Sequence, residues 1–263
     1  MSEDNALLLK SDLKTLKLPT FLKEYPSIAR QCAEAGVDYE AFLQQLAALE
    51  VQHRQSQATQ RRLKQAGFPV IKELEQFDFA AAPKVNKPLI LELARGTFID
   101  QRHNAAFVGP PGVGKTHLSI ALGREACRRG YKVKFFTAAA LANAYIEARE
   151  QKQVTRLENH IRRCDLIVVD ELGYIPLDRS GAEHLFSFFS QCYETTSLIV
   201  TTNVPFADWP QVFAGDERLA GALLDRLTHH VQVVQMEGES YRFQASVKRK
   251  TQRKGGGDDP DKA

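Results

Sequence analysis

The sequence predicts an α/β protein, a five-stranded parallel sheet flanked by helices, with a small all-α region ahead of it. Three observations predict this. From residue 105 onward, short β-rich runs alternate with helical stretches, the rhythm of strand–helix–strand units. The runs AAFVG, YKVKFFT, DLIVVD, SLIVTTN and HVQVVQM are largely apolar, as strands of a sheet covered on both faces must be. Between the first run and the helix after it lies GPPGVGKT, 109–116. It fits the phosphate-binding loop pattern of a glycine, four residues, then Gly-Lys-Thr.

The elements follow in chain order. Residues 6–65 read as helical, punctuated by Pro19, Pro26 and Gly36. Phe42, Leu46 and Leu49 recur at spacings of four and three and mark one apolar helix face. Asp38 stands before that helix as its N-cap and Gly67 after it as its C-cap. Arg54, Arg61, Arg62 and Lys64 crowd its later half. They fit a solvated helix end near the negative dipole pole and equally a phosphate-binding surface. Residues 67–104, with Pro69, Pro83 and Pro88, read as a connector that includes a helix at 87–101. Further helices are expected at Lys115–Arg129 and near 138–150, 179–194 and 217–229. The division is then a helical domain at 1–66, a nucleotide-binding domain at 67–247, and a charged, glycine-rich tail at 248–263 expected to be disordered.

Composition narrows the function classes. The chain has 263 residues, 43% hydrophobic and 25% charged, the balance of a protein with a buried core. A net charge of +3 excludes a polycation, so nucleic-acid binding must come from local patches. Cys32, Cys127, Cys164 and Cys192 lie far apart with no CxxC pair, which argues for reduced thiols in the cytoplasm. The acidic start MSEDNALLLKSDLK does not read as a signal peptide, and no apolar run approaches the roughly 20 residues of a membrane span.

The chemistry begins at the loop. Gly109, Gly112 and Gly114 let the backbone curl its N–H groups toward phosphate oxygens, with Pro110, Pro111 and Val113 between them and His117 just beyond. The following helix adds its positive end. Lys115 suits the β- and γ-phosphates of a nucleoside triphosphate, and the Thr116 hydroxyl suits a magnesium ion. The strand DLIVVDEL, 165–172, ends in two acids. Asp170 suits the magnesium, and Glu171 is placed to deprotonate a water for attack on the γ-phosphate. An acid pair there suits water as the acceptor, and Glu171 also fits a cap for the segment that follows. The strand SLIVTTN, 197–203, ends in Asn203, which faces the γ-phosphate if this strand lies between the other two. In the helix at 217–229, Arg218 and Arg226 are eight residues apart and project to nearly the same side. Either fits a finger that reaches a neighbouring subunit's γ-phosphate, or a surface salt bridge.

These elements in this order resemble the AAA+ ATPases. The stretches FVGPPGVGKTHLSIALG, VVDELGYIPLD, LIVTTNVPFADW, LLDRLTHH and the SYR triplet at 240–242 resemble more narrowly the DnaC/IstB branch and its IstB-type transposition helpers. The resemblance covers roughly 5–245 and includes the front stretches LKTLKLPTF and RRLKQAGFP. It implies an AAA+ fold without a C-terminal lid, and ATP and Mg2+ as cofactors. It makes Lys115, Thr116 and Asp170 nucleotide and metal ligands and Glu171 the base. Asn203 becomes a sensor and Arg226 the finger that completes a neighbour's site. It implies duplex DNA, an IstA-like transposase and further copies of the chain, in a ring or spiral, as partners. The family's extra helical insert falls on 147–163. That makes Arg149, Lys152, Arg156, Arg162 and Arg163, with Arg61 and Arg62, the candidate DNA contacts. The lidless design implies no obvious second sensor arginine, and Arg242 is a candidate for part of that role. A replicative helicase loader shares this chemistry and differs in partner. A P-loop small-molecule kinase is the alternative of another class.

Overall fold

A computed structural model of the chain describes residues 3–238 and Ser240. Arg242 and the tail at 248–263 lie outside the described residues. Contacts divide the chain into two units, Met1–Arg61 and Arg62–Ala263.

The first unit is helical: α1 (Glu3–Thr15), α2 (Pro19–Ala35) and most of α3 (Tyr39–Ala66). Asp38 caps α3 as expected, its Oδ1 accepting from the N–H of Ala41 at 2.7 Å. Gly36, at φ +66, closes α2 in the left-handed conformation that costs glycine nothing. The core is small. It holds Ile28, Cys32 and Leu46, with Phe21, Tyr25, Val37 and Phe42 against them. Leu49, expected on the same face, is instead exposed.

The second unit holds the sheet. Its connector carries α4 (Lys87–Ala94) and α5 (Thr97–Asp100). Then come β1 (Asn104–Val108), α6 (Lys115–Arg129), β2 (Val133–Thr137), α7 (Ala138–Glu150), α8 (Val154–Ile161) and β3 (Leu166–Leu172). After β3 the chain forms α9 (Arg179–Cys192), β4 (Ser197–Thr202), α10 (Trp209–Val212), α11 (Glu217–Thr228) and β5 (Val231–Gln235). The strand order is β2-β3-β4-β1-β5, and every pairing is parallel. Alternate residues face opposite sides. Ile167, Val169, Leu198 and Val200 pack with α7, α9 and α11. Leu166, Val168, Phe107 and Ile199 pack with α6 and the connector.

The order matters for function. β4 lies between β1 and β3, which is the condition on which a role for Asn203 depended. The segments leaving β1, β3 and β4 therefore gather at the carboxyl ends of three adjacent strands, where open α/β sheets bind ligands. At the opposite end, buried Asn104 ties β1 to β4 and to the end of α11. Its Nδ2 donates to the carbonyl of Leu227 at 2.9 Å, and its Oδ1 accepts from the N–H of Leu198 at 3.0 Å.

Two local readings change. The helix expected at 87–101 is two helices, broken at Gly96 with φ +81. The left-handed backbone interrupts the helix, and a Cβ there would also meet the ring of Tyr131 at 2.9 Å, so the position suits glycine. The last turn of α3 belongs to the second unit. Leu63 and Ala66 join its core, and Nε of Arg62 donates to the carbonyl of Cys127 at 2.8 Å.

Candidate nucleotide-binding site

The loop 109–114 joins β1 to α6. The N–H of Gly109 donates to the carbonyl of Thr202, the last residue of β4, at 3.2 Å. Gly112 (φ +86) and Gly114 (φ +102) turn the loop through left-handed backbone. A Cβ on Gly114 would also lie 2.7 Å from the ring of Phe77, so connector and loop approach too closely for any other residue. Val113 anchors the loop in the core, while Pro110 and Pro111 are exposed.

Lys115 heads α6 and is only 9% exposed. Its ammonium donates to the carbonyls of Gly109 at 2.6 Å and Pro110 at 2.8 Å, within the curve of the loop. The next residue, Thr116, donates its hydroxyl to Oδ1 of Asp170 at 3.0 Å. The ring of His117 turns away to the connector. Its Nε2 lies 2.9 Å from the carbonyl of Glu73, and it meets the Phe77 ring edge-on at 5.4 Å. What His117 offers the loop is its backbone N–H.

The same connector is clamped to α6 by charge. Glu73 accepts from Arg124 and, at 2.7 Å, from Nη2 of Arg128. Arg124, and to a smaller extent Arg128, hold the Glu73 carboxyl below the ordinary carboxylate range against the opposing effect of burial.

At the end of β3 the pairing with β4 slips. Val169 pairs with Val200, but Leu172 pairs with Thr202, so two residues of β3 face one of β4. The extra residue makes a β-bulge, and Glu171 takes φ +61, a left-handed conformation uncommon outside glycine. The bulge separates the two acids. Asp170 stays buried at 3% exposure, while Glu171 is exposed. Thr201, opposite the bulge, accepts from the N–H of Glu171 at 2.9 Å and donates its hydroxyl to Oδ1 of Asp170. The sequence reading missed Thr201. The signal was available: a threonine buried among Leu198, Ile199 and Val200 needs a partner for its hydroxyl.

Asn203 follows β4 directly and is half-buried, one residue beyond the carbonyl that binds Gly109. Arg226 lies on α11. Its Nη1 donates to the carbonyl of Ala222 at 2.7 Å, and its guanidinium sits 5.0 Å from the ring of Phe186 on α9. Arg218, at the start of α11, is exposed. Arg149, Lys152, Arg156, Arg162 and Arg163 are all exposed around α8. Arg156 and Arg163 line a polar groove of about 800 Å3 between α7 and α8, with Gln151, Asn159 and His160. Arg61 is exposed, whereas Arg62 is half-buried by its bond to α6.

The sheet order and the glycine loop between β1 and α6 give the chain a P-loop α/β fold of the AAA+ kind. Within that class the chain belongs to the family of IstB-like ATP binding proteins, whose pattern matches residues 11–249. It is 38% identical over 87% of its length to an insertion sequence IS5376 putative ATP-binding protein of Geobacillus stearothermophilus, covering 90% of that protein. It is 37% identical over 90% of its length to an insertion sequence IS21 putative ATP-binding protein of Pseudomonas aeruginosa, covering 89% of it. Among solved structures, it resembles AMPPCP-bound DnaA from Aquifex aeolicus with a TM-score of 0.52 and 23% identity. That match covers 71% of this chain and 56% of the other, and the likeness is one of fold. Among the described residues no helix is long and apolar enough to cross a membrane.

Proposed function

We propose that this protein is an ATPase that assembles on duplex DNA when ATP is bound and assists a transposase of the IstA kind. The observation that carries the reading is the junction of Lys115, Thr116, Asp170 and Glu171 at one end of three adjacent strands. Family membership and the insertion-sequence relatives support it.

The residues fit a divalent cation. Asp170 is a buried carboxylate that forms no salt bridge among the described residues and accepts only from hydroxyls there. Such a charge is costly in isolation and is relieved by a metal. Thr116 and Asp170 would hold Mg2+, which supplies neutralisation of triphosphate charge. Lys115 exchanges the carbonyls of Gly109 and Pro110 for phosphate oxygens, joined by the N–H groups of the 112–117 segment. Glu171 takes the proton of the attacking water, and Asn203 orients that water. Arg226 leaves Phe186 to reach the γ-phosphate of an adjacent copy, so nucleotide joins two subunits and stabilises the assembled state. Hydrolysis then releases it. Arg61, Arg149, Lys152, Arg156, Arg162 and Arg163 meet DNA phosphates, which makes binding tolerant of sequence and sensitive to salt. The helical region 1–66 serves assembly or partner binding.

The test is assembly. Purified chain is mixed with duplex DNA and a non-hydrolysable ATP analogue and imaged by electron microscopy. Ordered oligomers on DNA that need both nucleotide and Lys115 are expected. If Lys115→Ala assembles as the parent does, the reading is wrong. ATP turnover that rises with a small-molecule acceptor and ignores duplex DNA would favour a kinase instead.

A further inference from the structure

We propose that Thr201 is a positioning residue that sets both acids of the site through one hydroxyl. The inference rests on the reading of Asp170 and Glu171 given above. A threonine hydroxyl has one proton to donate and lone pairs to accept with. Here the proton goes to Oδ1 of Asp170, and a lone pair takes the N–H of Glu171 at 2.9 Å. The hydroxyl is thus polarised in one direction, from the bulge amide toward the metal-binding carboxylate.

The location gives the contact its importance. Thr201 is 1% exposed and sits at the single register shift between β3 and β4. A regular ladder would satisfy the Glu171 N–H with a carbonyl of β4. The bulge removes that partner, and the Thr201 side chain replaces it. The same bond holds Glu171 at φ +61, a conformation that persists only where surrounding contacts fix it. Asp170 Oδ1 meanwhile accepts from both Thr201 and Thr116, which leaves one defined orientation for its second oxygen. Thr201 touches neither nucleotide nor water in this scheme. It fixes the angle between a metal ligand and a base.

The test uses the full chain with Thr201→Val, Thr201→Ser and, as reference, Glu171→Gln. Valine keeps the shape and removes both hydrogen bonds; serine keeps both. Steady-state ATPase rates, nucleotide affinity from a fluorescent ATP analogue, and the Mg2+ concentration for half-maximal rate are measured. Thr201→Val is expected to lower kcat at least tenfold, leave nucleotide affinity within about threefold, and raise the Mg2+ requirement severalfold. Thr201→Ser is expected to stay within about threefold of the parent throughout. A valine variant with parental kcat overturns the proposal, as does a serine variant that loses as much as valine. If valine does not fold, Thr201→Ala carries the same expectation. The two readings fail separately. If Glu171→Gln hydrolyses ATP as the parent does, the site assignment fails and Thr201 with it. If Glu171→Gln is inactive while Thr201→Val is not, the role of Thr201 alone fails.

Discussion

The hydroxyl of Thr116 donates to Oδ1 of Asp170 across 3.0 Å, although 54 residues separate them in the chain. One is the second residue of the helix that closes the loop, the other lies near the carboxyl end of β3, two strands from β1 in the sheet. Removing this contact is expected to weaken nucleotide binding through the metal. Thr116→Ala should lower affinity for ATP in the presence of Mg2+ by tenfold or more and change it little in EDTA. A titration with a fluorescent analogue in both buffers checks this.

Glu171→Gln should separate binding from hydrolysis. Its side chain is exposed, and the amide leaves intact the bond that its backbone N–H donates to the Thr201 hydroxyl. A lost general base costs on the order of 10²–10⁴ in rate. ATP-dependent complexes on DNA should therefore form normally and persist longer, as measured by phosphate release and complex lifetime.

Arg226 offers a test of sharing between subunits. Arg226→Ala should turn over slowly alone, by a factor on the order of 10³, because the neighbour's site lacks its finger. Mixed with Lys115→Ala, which keeps Arg226 but cannot hold nucleotide, it should regain part of the rate. No recovery across mixing ratios would place the arginine outside any shared site.

The Glu73 clamp makes stability depend on pH. Its carboxyl is depressed in the fold by Arg124 first and Arg128 second, relative to the ordinary 4.5. The contribution is therefore complete above that ordinary value and is lost as pH falls through the lower folded one. At pH 7, Glu73→Gln should destabilise the chain by about 1–3 kcal/mol. Melting curves should show the gap between parent and variant closing below pH 4.5.

The thiols should be inert in the folded chain. Burial pushes Cys127 and Cys164 up to about 11, and Cys192 is pushed up further. At pH 8 a thiol of that kind is about one thousandth thiolate. A colorimetric disulfide reagent should leave these three unmodified in the native protein and label them promptly in guanidinium.

The loop and both acids were legible because their chemistry is local: glycines at fixed spacing, and an apolar run ending in Asp170-Glu171. The five strands were legible for the same reason, as short apolar runs between helices. What escaped depends on neighbours distant in sequence. Strand order decides whether Asn203 stands near the loop, and order is written in packing rather than in any one strand. Thr201 looked like an ordinary β-branched strand residue until the bulge beside it was visible. The break at Gly96 was hidden because a lone glycine does not mark a helix end, and the Tyr131 ring that would crowd a Cβ there comes 35 residues later.

The place of β4 has a consequence for how this site fails. On one side its last carbonyl holds Gly109, and on the other its Thr201 hydroxyl holds Glu171 and Asp170. A slip of β4 by one residue turns Thr201 to the opposite face of the sheet and withdraws the carbonyl from the loop in the same movement. The loop and both acids thus hang from one strand. A shift of β4 should therefore cost nucleotide binding and turnover together, whereas a side-chain change at Thr201 that leaves the strand in register should cost turnover alone.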